Sequence, residues 1–458
     1  MKRQLFVCYL VFLGLLCVWP TCSWGQDALI DVMVAVSAPG ANNGQGNGPP
    51  VVDDAPAGFH GSNGYTDPAT FAEDRDTFDE FETIEDGLGP LYNAQSCREC
   101  HQNPISGSSS QITEKRVGHN DEDGVFQDPE IPIQHGRVII SGRSLINDRA
   151  ICPNEDFPKG EIQERVPLTE TIRTFRISLN LLGDGFVEAV ADKTLEKLAQ
   201  DQCKSTGNEI CGQLLYVPVL EAPGAMRLGR FGWKNQQASI LSFAADAYLN
   251  EMGVTNRLQP DEVTTVCNPR GIAEPNDTEN DIDVFARFIR ATKAPARDEV
   301  LARTEDATEG EEIFTRIGCA ICHVPTLETE KAGKKINGGK FIVPDALGDK
   351  QFHPYGDFLL HDVGTGDGIV QSWTEHYGRE VYDHWKLSAE EFNETQYKMR
   401  TAPLWGVRFR PELMHDGESL TFLDAIKRHG GEASQITRRF LGLSPSQQLA
   451  LFEFLKSL

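Results

Sequence analysis

Apolar side chains recur every three to four positions in several segments of this chain, which is the spacing of one face of an α-helix. The clearest such faces are formed by Phe71, Phe78, Phe81 and Ile84, and by Ile282, Phe285, Phe288 and Ile289. The helices predicted from the chain cover residues 72–85, 192–202, 234–251, 277–292, 310–317, 420–429 and 445–458. Strand character is confined to residues 137–141. The pattern predicts a mainly α fold with long loops and a small amount of β-structure.

The first 25 residues have the layout of a secretory signal peptide. A basic start precedes an apolar run from Leu5 to Trp19, and the small residues Ser23 and Gly25 suit a cleavage site. The run is shorter than the roughly 20 residues that cross a bilayer, so an uncleaved membrane anchor is the weaker alternative. We expect a periplasmic or otherwise exported protein whose mature chain contains no membrane span.

Composition narrows the classes of partner. The 458 residues include 43 Lys and Arg against 68 Asp and Glu, a formal net charge of −25. Nucleic acids and anionic lipid surfaces are bound through clusters of basic residues. A chain this acidic is therefore expected to bind neither.

The cysteines carry the main chemical signal. Three of the eleven lie in the signal region, and four of the others form two copies of the pattern C-x-x-C-H. The two copies are Cys97-Arg98-Glu99-Cys100-His101 and Cys319-Ala320-Ile321-Cys322-His323. In this pattern the two thiols form thioethers with haem and the adjacent imidazole binds the iron. A zinc ribbon or a thioredoxin-like redox pair would not require His beside the second Cys twice. The sequence thus predicts two covalently bound haem c groups, with His101 and His323 as iron ligands.

Four cysteines remain outside the two motifs, and in an oxidising compartment they are expected to form two disulfides. They are Cys152, Cys203, Cys211 and Cys267. Three connectivities are open. The pairing Cys203–Cys211 is preferred because it closes a short loop that contains Gly and Asn, and it leaves Cys152–Cys267.

The motifs suggest a layout in segments. Residues 26–70 are rich in Gly, Asn, Pro and Ala and are predicted to be a flexible linker. Residues 71–293 would form a first haem domain with a large insertion, and residues 309–458 a second cytochrome c-like haem domain. Each iron needs a sixth ligand or an open position. For the second haem the downstream candidates are His353, His361, His376, His384, Met399, Met414, His415 and His429. For the first, His119 and His135 are candidates.

Several longer stretches resemble one known family, the di-haem oxidoreductases, which are often labelled thiol oxidoreductases and are similar to bacterial di-haem cytochrome c peroxidases. The stretches, in matching order over residues 75–458, are Gly87–Cys97, Gly229–Lys234, Asn250–Gly253, Phe358–Gly364, Arg400–Gly406, His415–Gly417 and His429–Glu432. In the peroxidases a Met that binds the electron-transfer haem lies fourteen residues after the His of the H-D-G element. Here that position is His429. The resemblance implies a second haem with two His ligands and a lower potential.

The resemblance also implies that the first haem is the reactive one. The peroxidase stretch G-R…Q-A…E-M has a Gln and a Glu in its peroxide pocket, and it matches Gln237 (or Gln236) and Glu251 here. These residues are the expected acid–base and orienting groups, with an amphipathic, solvated helix as the alternative. Trp233 would carry electrons between the haems, or simply pack in the core. His361 and His415 are expected to hydrogen-bond haem propionates.

The leading hypothesis is an exported di-haem oxidoreductase that reduces peroxide or another small oxidant at the first haem. Electrons would come from a donor protein or a small reductant through the second haem. The alternatives are a pure electron-transfer cytochrome, and a haem oxidase or oxygenase on the same scaffold. Residues 120–124, N-D-E-D-G, are the candidate for a calcium loop. They lack the terminal bidentate Glu of an EF-hand, so a solvated turn is the alternative.

Overall fold

The computed structural model describes residues 52–152, 162–264, 266–267, 275–370 and 388–458. The predicted signal peptide, the linker as far as residue 51, and the candidate ligands His376 and His384 lie outside these ranges. No helix in the described ranges is both long and apolar enough to cross a membrane.

The described helices are α1 (Pro68–Asp79), α2 (Cys97–Cys100), α3 (Asp184–Glu188), α4 (Asp192–Ser205), α5 (Ile240–Met252), α6 (Asp281–Ala291), α7 (Glu299–Ala302), α8 (Glu305–Ile317), α9 (Ala389–Asn393), α10 (Phe422–Lys427), α11 (Ser434–Leu441) and α12 (Pro445–Ser457). The described strands are β1 (Asp53–Asp54), β2 (Leu91–Tyr92), β3 (Thr113–Asn120), β4 (Phe126–Gln127), β5 (Ile131–Ile133), β6 (Val138–Ile140), β7 (Leu145–Ile146), β8 (Arg149–Ala150), β9 (Ile172–Ile177), β10 (Tyr216–Pro218), β11 (Met226–Leu228), β12 (Leu327–Glu328), β13 (Lys335–Ile336), β14 (Phe341–Ile342), β15 (Lys350–Phe352), β16 (Leu360–His361) and β17 (Met399–Arg400).

The predicted helices with the clearest periodicity are present. The apolar face of α6 is buried, as its spacing predicts, and α12 begins at its predicted cap, where the Ser444 side chain accepts a hydrogen bond from the backbone of Gln447. The prediction for residues 72–85 is wrong at both ends. Asp67 caps α1 and Pro68 opens it, and the backbone turns extended at Glu80.

The mainly α fold class is wrong, because the structure is 34% helix and 17% strand in many small sheets. The largest of these sheets has the order β4–β3–β7, with β9 paired antiparallel to β3 over six residues. Three of its strands, β3, β4 and β7, lie within residues 106–164, a polar segment whose pattern is typical of loops. Strand β3 has the sequence T-E-K-R-V-G-H-N, in which charged side chains stand where a core strand would carry apolar ones. Two of these side chains, Glu114 and Arg116, line a cavity instead of packing in the core.

Both halves of the chain contribute to one core. The largest apolar cluster combines α3, α5 and α6 with β12, β15 and residues around Phe358. A second cluster forms where α8 packs on α12. This packing is close, because a Cβ at Gly310 would lie 2.1 Å from the carbonyl oxygen of Ala450. Residues 52–458 form a single compact unit. The division into two haem domains stays a prediction.

Two further features tie distant segments together. Within the predicted linker of residues 26–70, β1 pairs in parallel with Lys350 and Gln351 of β15. The four cysteines outside the motifs form the preferred disulfides, Cys152–Cys267 and Cys203–Cys211.

A buried ion pair joins the helices of the main core. Glu188, at the end of α3, is fully buried and accepts hydrogen bonds from Arg290 Nε at 2.6 Å and Nη2 at 2.9 Å. The backbone N–H of Ile240 and the side chain of Asn337 donate to the same carboxylate, each at 2.9 Å. The pair therefore fixes α3 against α5 and α6.

Replacing Arg290 with Met should destabilise the fold strongly, because the Glu188 carboxylate would stay buried without its cation. We expect the free energy of unfolding to fall by about 3–5 kcal/mol, measured from urea unfolding at pH 7. The matched control is Arg303→Met, which removes an exposed ion pair with Glu299 and should cost less than about 1 kcal/mol. Equal losses in both variants would contradict this account of the core.

Candidate functional site

The first C-x-x-C-H motif forms the short helix α2, which Ser96 caps at its N-terminus. The ring of His101 is partly buried, and its Nδ1 lies 2.9 Å from the carbonyl oxygen of Leu179 and 3.1 Å from that of Ser108. Because a carbonyl only accepts, Nδ1 must carry the proton. Nε2 is then the lone-pair nitrogen and is available to a metal. Burial lowers the pKa of His101, which keeps the ring neutral as ligation requires.

A cavity opens beside this motif. Its apolar wall includes Phe78, Leu179, Phe285 and Ile289. Its polar and charged residues include Glu114, Arg116, Arg143, Arg176, Asp184, Gln236 and Glu251. Cys97, Cys100, His101 and Trp233 also line it. The cavity thus brings the first motif together with two of the three predicted catalytic residues, Glu251 and Trp233.

Gln236 is among the described residues that line the cavity, whereas its neighbour Gln237 is not. Gln237 is fully buried, and its backbone pairs with Phe231 across a tight loop. Successive residues in extended backbone point to opposite sides. The sequence match left the choice between the two glutamines open, and the geometry favours Gln236 for the cavity.

Glu251 stands in a wall of polar groups that sequence reasoning missed. Asn93 Nδ2 donates to its carboxyl at 2.9 Å, and the carboxyl of Glu114 lies within hydrogen-bond reach. Burial and the Glu114 charge raise the pKa of Glu251 to about 8. Burial would also raise the pKa of Glu114, but Arg116 outweighs it and lowers that pKa to about 2. The only sequence signal for this wall is the alternation of charged residues on β3, which places Glu114 and Arg116 on one face.

Trp233 connects the cavity to the second half of the molecule. Its indole Nε1–H donates to the carbonyl oxygen of Ile177 at 2.8 Å. Its ring lies edge-on to His415, with 6.1 Å between ring centroids. The side chain therefore has a fixed orientation, which suits either electron transfer or core packing.

The second motif lies where α8 ends. Gly318 takes a left-handed conformation that closes the helix, and Cys319–Ile321 form a single 3-10 turn. His323 Nδ1 donates to the carbonyl oxygen of Tyr355 at 3.1 Å. The proton is therefore on Nδ1, and Nε2 carries the lone pair that a metal needs.

His429 faces this imidazole. The two ring centroids lie 6.4 Å apart, and the Nδ1 of His429 donates to the carbonyl oxygen of Ala425 at 2.7 Å. Two imidazoles on opposite sides of one metal ion, with metal–nitrogen bonds of about 2 Å, place their centroids at about this separation. Burial lowers the pKa of both rings, to about 4 for His323. The two imidazoles would thus be able to hold one metal ion between them.

His361 lies beside the second motif in a separate cluster. Its two ring nitrogens lie 2.9 Å from Asp357 Oδ2 and 2.9 Å from Glu432 Oε2, and Cys322 Sγ is 3.9 Å away. Burial would lower the pKa of His361, but Asp357 raises it well above its ordinary value. A doubly protonated ring donates from both nitrogens and has no lone pair for a metal.

The other candidate ligands have different surroundings. His353 contacts Thr326, and His119 contacts Glu170 with 2.9 Å between Nδ1 and Oε2. Neither His119 nor His135 is among the described residues that line the cavity. In the candidate calcium loop, Asp121 Oδ1 accepts from two backbone N–H groups of its own turn. Calcium there stays a prediction.

The buried arginines test whether these sites suit haem, which carries two carboxylates. Arg143 Nε and Nη1 and Arg410 Nε and Nη2 are buried and have no hydrogen-bond partner among the described residues. Arg143 lines the first cavity. Guanidinium groups pair well with carboxylates. Arg143, the imidazole of His101 and the apolar wall together fit a haem in this cavity, and Arg143 would hold one of its propionates.

A comparison with protein families shows to which family this chain belongs. A family model described as "Di-haem oxidoreductase, putative peroxidase" matches residues 154–458, about two thirds of the chain. The chain belongs to the di-haem oxidoreductase family. It is therefore an oxidoreductase with haem cofactors. The matched segment contains the second motif, Glu251, Trp233 and His429, whereas the first motif and Glu114 precede it.

Solved structures were also compared. Hydrazine synthase from Kuenenia stuttgartiensis covers 95% of this chain and 100% of its own, with 13% identity and a TM-score of 0.37. A MauG-like protein associated with microbial copper homeostasis covers 67% of this chain and 95% of its own, with 16% identity and a TM-score of 0.29. These scores are too low to support an inference about this chain. No curated protein matches it.

A second buried charge cluster supports the Trp233 loop. Asp367 accepts from Arg176 Nε at 2.7 Å and forms an ion pair with Lys234 Nζ at 2.8 Å. All three side chains are 2% exposed or less. Burial would raise the pKa of Asp367, but the two cations hold it below its usual range. The cluster ties the loop that carries Trp233 to β9 of the cavity wall.

The variant Asp367→Asn should lose about 3–5 kcal/mol of stability at pH 7, because two buried cations lose their counter-charge. The folded-state pKa of Asp367 is depressed, so its contribution is fully present above the unfolded pKa of about 3.9 and is lost as the pH falls. The difference in the free energy of unfolding between wild type and variant, measured by urea unfolding, should therefore become smaller below about pH 4. Asp201→Asn, at an exposed pair with Lys197, is the control. A difference in unfolding free energy that does not change with pH would contradict this role of the ionised Asp367 carboxylate.

Proposed function

We propose that this di-haem oxidoreductase is exported and reduces hydrogen peroxide. The overall reaction is H2O2 + 2 e⁻ + 2 H⁺ → 2 H2O, with the electrons supplied by a donor protein or a small reductant. The basic, apolar start of the chain supports export. The family supports the oxidoreductase class. The observation that carries the proposal is the difference between the two sites.

At the second site His323 and His429 face each other, which suits an iron that only exchanges electrons. At the first site His101 is the only His among the described lining residues, and a partly buried acid, Glu251, lies on the wall. A site with one imidazole and an acid–base group suits chemistry on a small molecule. This asymmetry favours reduction at the first site with electrons relayed from the second.

The residues that would hold the cofactors follow from the motifs. Cys97 and Cys100 would form thioethers with one haem and Cys319 and Cys322 with the other, so both groups would be haem c. Bound haem supplies one-electron redox chemistry and an iron at which a peroxide can bind. The backbone carbonyls that accept from each Nδ1–H keep the ligating imidazoles oriented.

The remaining steps belong to side chains of this chain. Glu251 can give a proton to the far peroxide oxygen, which must leave as water, and can take up the proton of the near oxygen. Gln236 can orient the peroxide from the same cavity. Trp233, held by its hydrogen bond to Ile177, offers an aromatic ring between the cavity and the second half of the molecule.

His429→Met should raise the midpoint potential of one of the two haems and leave the other near its wild-type value, because a thioether favours ferrous iron more than an imidazole does. A spectroelectrochemical titration resolves the two waves. His353→Met is the control, since His353 is half-exposed and contacts Thr326. If neither wave moves in His429→Met, the assignment of this ligand is wrong.

Glu251→Gln should lower kcat for peroxide reduction about 10²- to 10⁴-fold, because the amide cannot shuttle a proton. Steady-state peroxide consumption with a small reductant measures this, and Glu73→Gln at an exposed position of α1 is the control. A wild-type protein that consumes no peroxide, oxidised or half-reduced, would overturn the proposed function. A Glu251→Gln variant with full activity would remove the role of Glu251.

A further inference from the structure

The wall of the first cavity contains two neighbouring carboxyl groups, of which the proposed mechanism uses only Glu251. The other, Glu114, lies on β3, before the segment that matches the family. The two carboxyls are close enough to share a hydrogen bond. Two carboxylates cannot form one without a proton, and their charges would repel in a buried site. One proton therefore lies between them.

The surroundings decide which carboxyl holds this proton. Arg116 donates to both oxygens of Glu114, from Nε at 2.7 Å and from Nη2 at 3.1 Å. Arg176 adds a second guanidinium at 4.0 Å. Glu251, by contrast, receives a hydrogen bond from the neutral amide of Asn93. A two-pronged arginine contact stabilises an ionised carboxylate, so Glu114 is the anion and Glu251 the acid.

We propose that Glu114 is a positioning residue that, ionised and held by Arg116, keeps the Glu251 carboxyl protonated and hydrogen-bonded in the resting protein. The opposite pKa shifts of the two groups agree with this assignment. The use of the pair in peroxide reduction rests on the proposed function. The shared proton does not, because it follows from contacts within the chain.

Other charged groups face the pair from each packed element. Arg116 lies on β3 with Glu114, Arg176 on β9 and Asp246 on α5. The sulfur of Cys100 approaches from α2 and becomes an uncharged thioether once haem is attached. Arg176 also pairs with Asp367, which contacts Lys234. The three cations Arg116, Arg176 and Lys234 therefore balance Asp367, Asp246 and one carboxylate of the pair, which leaves the second carboxyl neutral.

This arrangement gives the pair a defined role in the proton transfer. As the O–O bond of peroxide breaks with two electrons that the bound haems would supply, protonated Glu251 can give its proton to the far oxygen, which leaves as water. The Glu251 carboxylate can then accept the proton of the near oxygen. The Glu114 anion makes the recovery of that proton favourable, because two adjacent carboxylates are costly. The net result is one proton moved from the near to the far oxygen.

The test is an infrared pH titration of the oxidised holoprotein, following the C=O band of protonated carboxyl groups. Labelling with ¹³C-glutamate separates Glu bands from those of haem propionates, and Glu251→Gln assigns the Glu251 band. In wild type this band should persist well above the ordinary Glu range and titrate near neutral or alkaline pH. In Glu114→Gln its midpoint should fall by about two pH units or more, because the like charge is gone and Arg116 is freed.

Glu114→Asp keeps the negative charge and should retain most of the upward shift, which a merely structural role for Glu114 would not require. The wild-type spectrum is itself a test if Glu114→Gln fails to fold: no Glu251 band above about pH 6 would overturn the proposal. An unchanged midpoint in folded Glu114→Gln would overturn it as well. A shifted midpoint in a protein that consumes no peroxide would support the pair and reject the proposed function.

Discussion

The hydrogen bond from each motif imidazole to a backbone carbonyl is the contact on which the sites depend. His101 donates to Leu179, which is 78 residues further along the chain, and His323 donates to Tyr355, 32 residues further. Each bond fixes which nitrogen carries the proton and which way the ring faces. The long segments after the two motifs are therefore parts of the sites, because they supply these carbonyls.

From this constraint the two sites diverge. At the second, a further imidazole from residue His429 completes a facing pair, and neighbouring charges such as His361 are neutralised by carboxylates. At the first site, the cavity wall contains the neighbouring carboxyl groups of Glu114 and Glu251 and the aromatic ring of Trp233. Two copies of one motif thus lie in different surroundings, which the rest of the chain supplies.

The two C-x-x-C-H motifs could be recognised from the sequence, because each depends on spacing within a short segment. His429 was singled out by the resemblance to the peroxidases, and the structure places its ring 6.4 Å, between centroids, from that of His323. The roles of these residues as iron ligands stay predictions. Helix α6 was equally predictable from its apolar face. The fold class was not: β3 and β9 carry charged residues that serve a cavity, so their strand pattern is hidden. For the same reason Glu114 and Arg116 were missed. Whether Gln236 or Gln237 reaches the cavity depends on the turn of one loop, and spacing alone does not fix it.

The most direct test of the central claim, that one haem site is reactive and the other only transfers electrons, is electron paramagnetic resonance of the oxidised protein before and after peroxide is added. The account predicts a high-spin ferric signal that changes with peroxide, beside a low-spin signal from the site of His323 and His429. Two low-spin signals that peroxide leaves unchanged, both before and after half-reduction, would contradict it and leave an electron carrier.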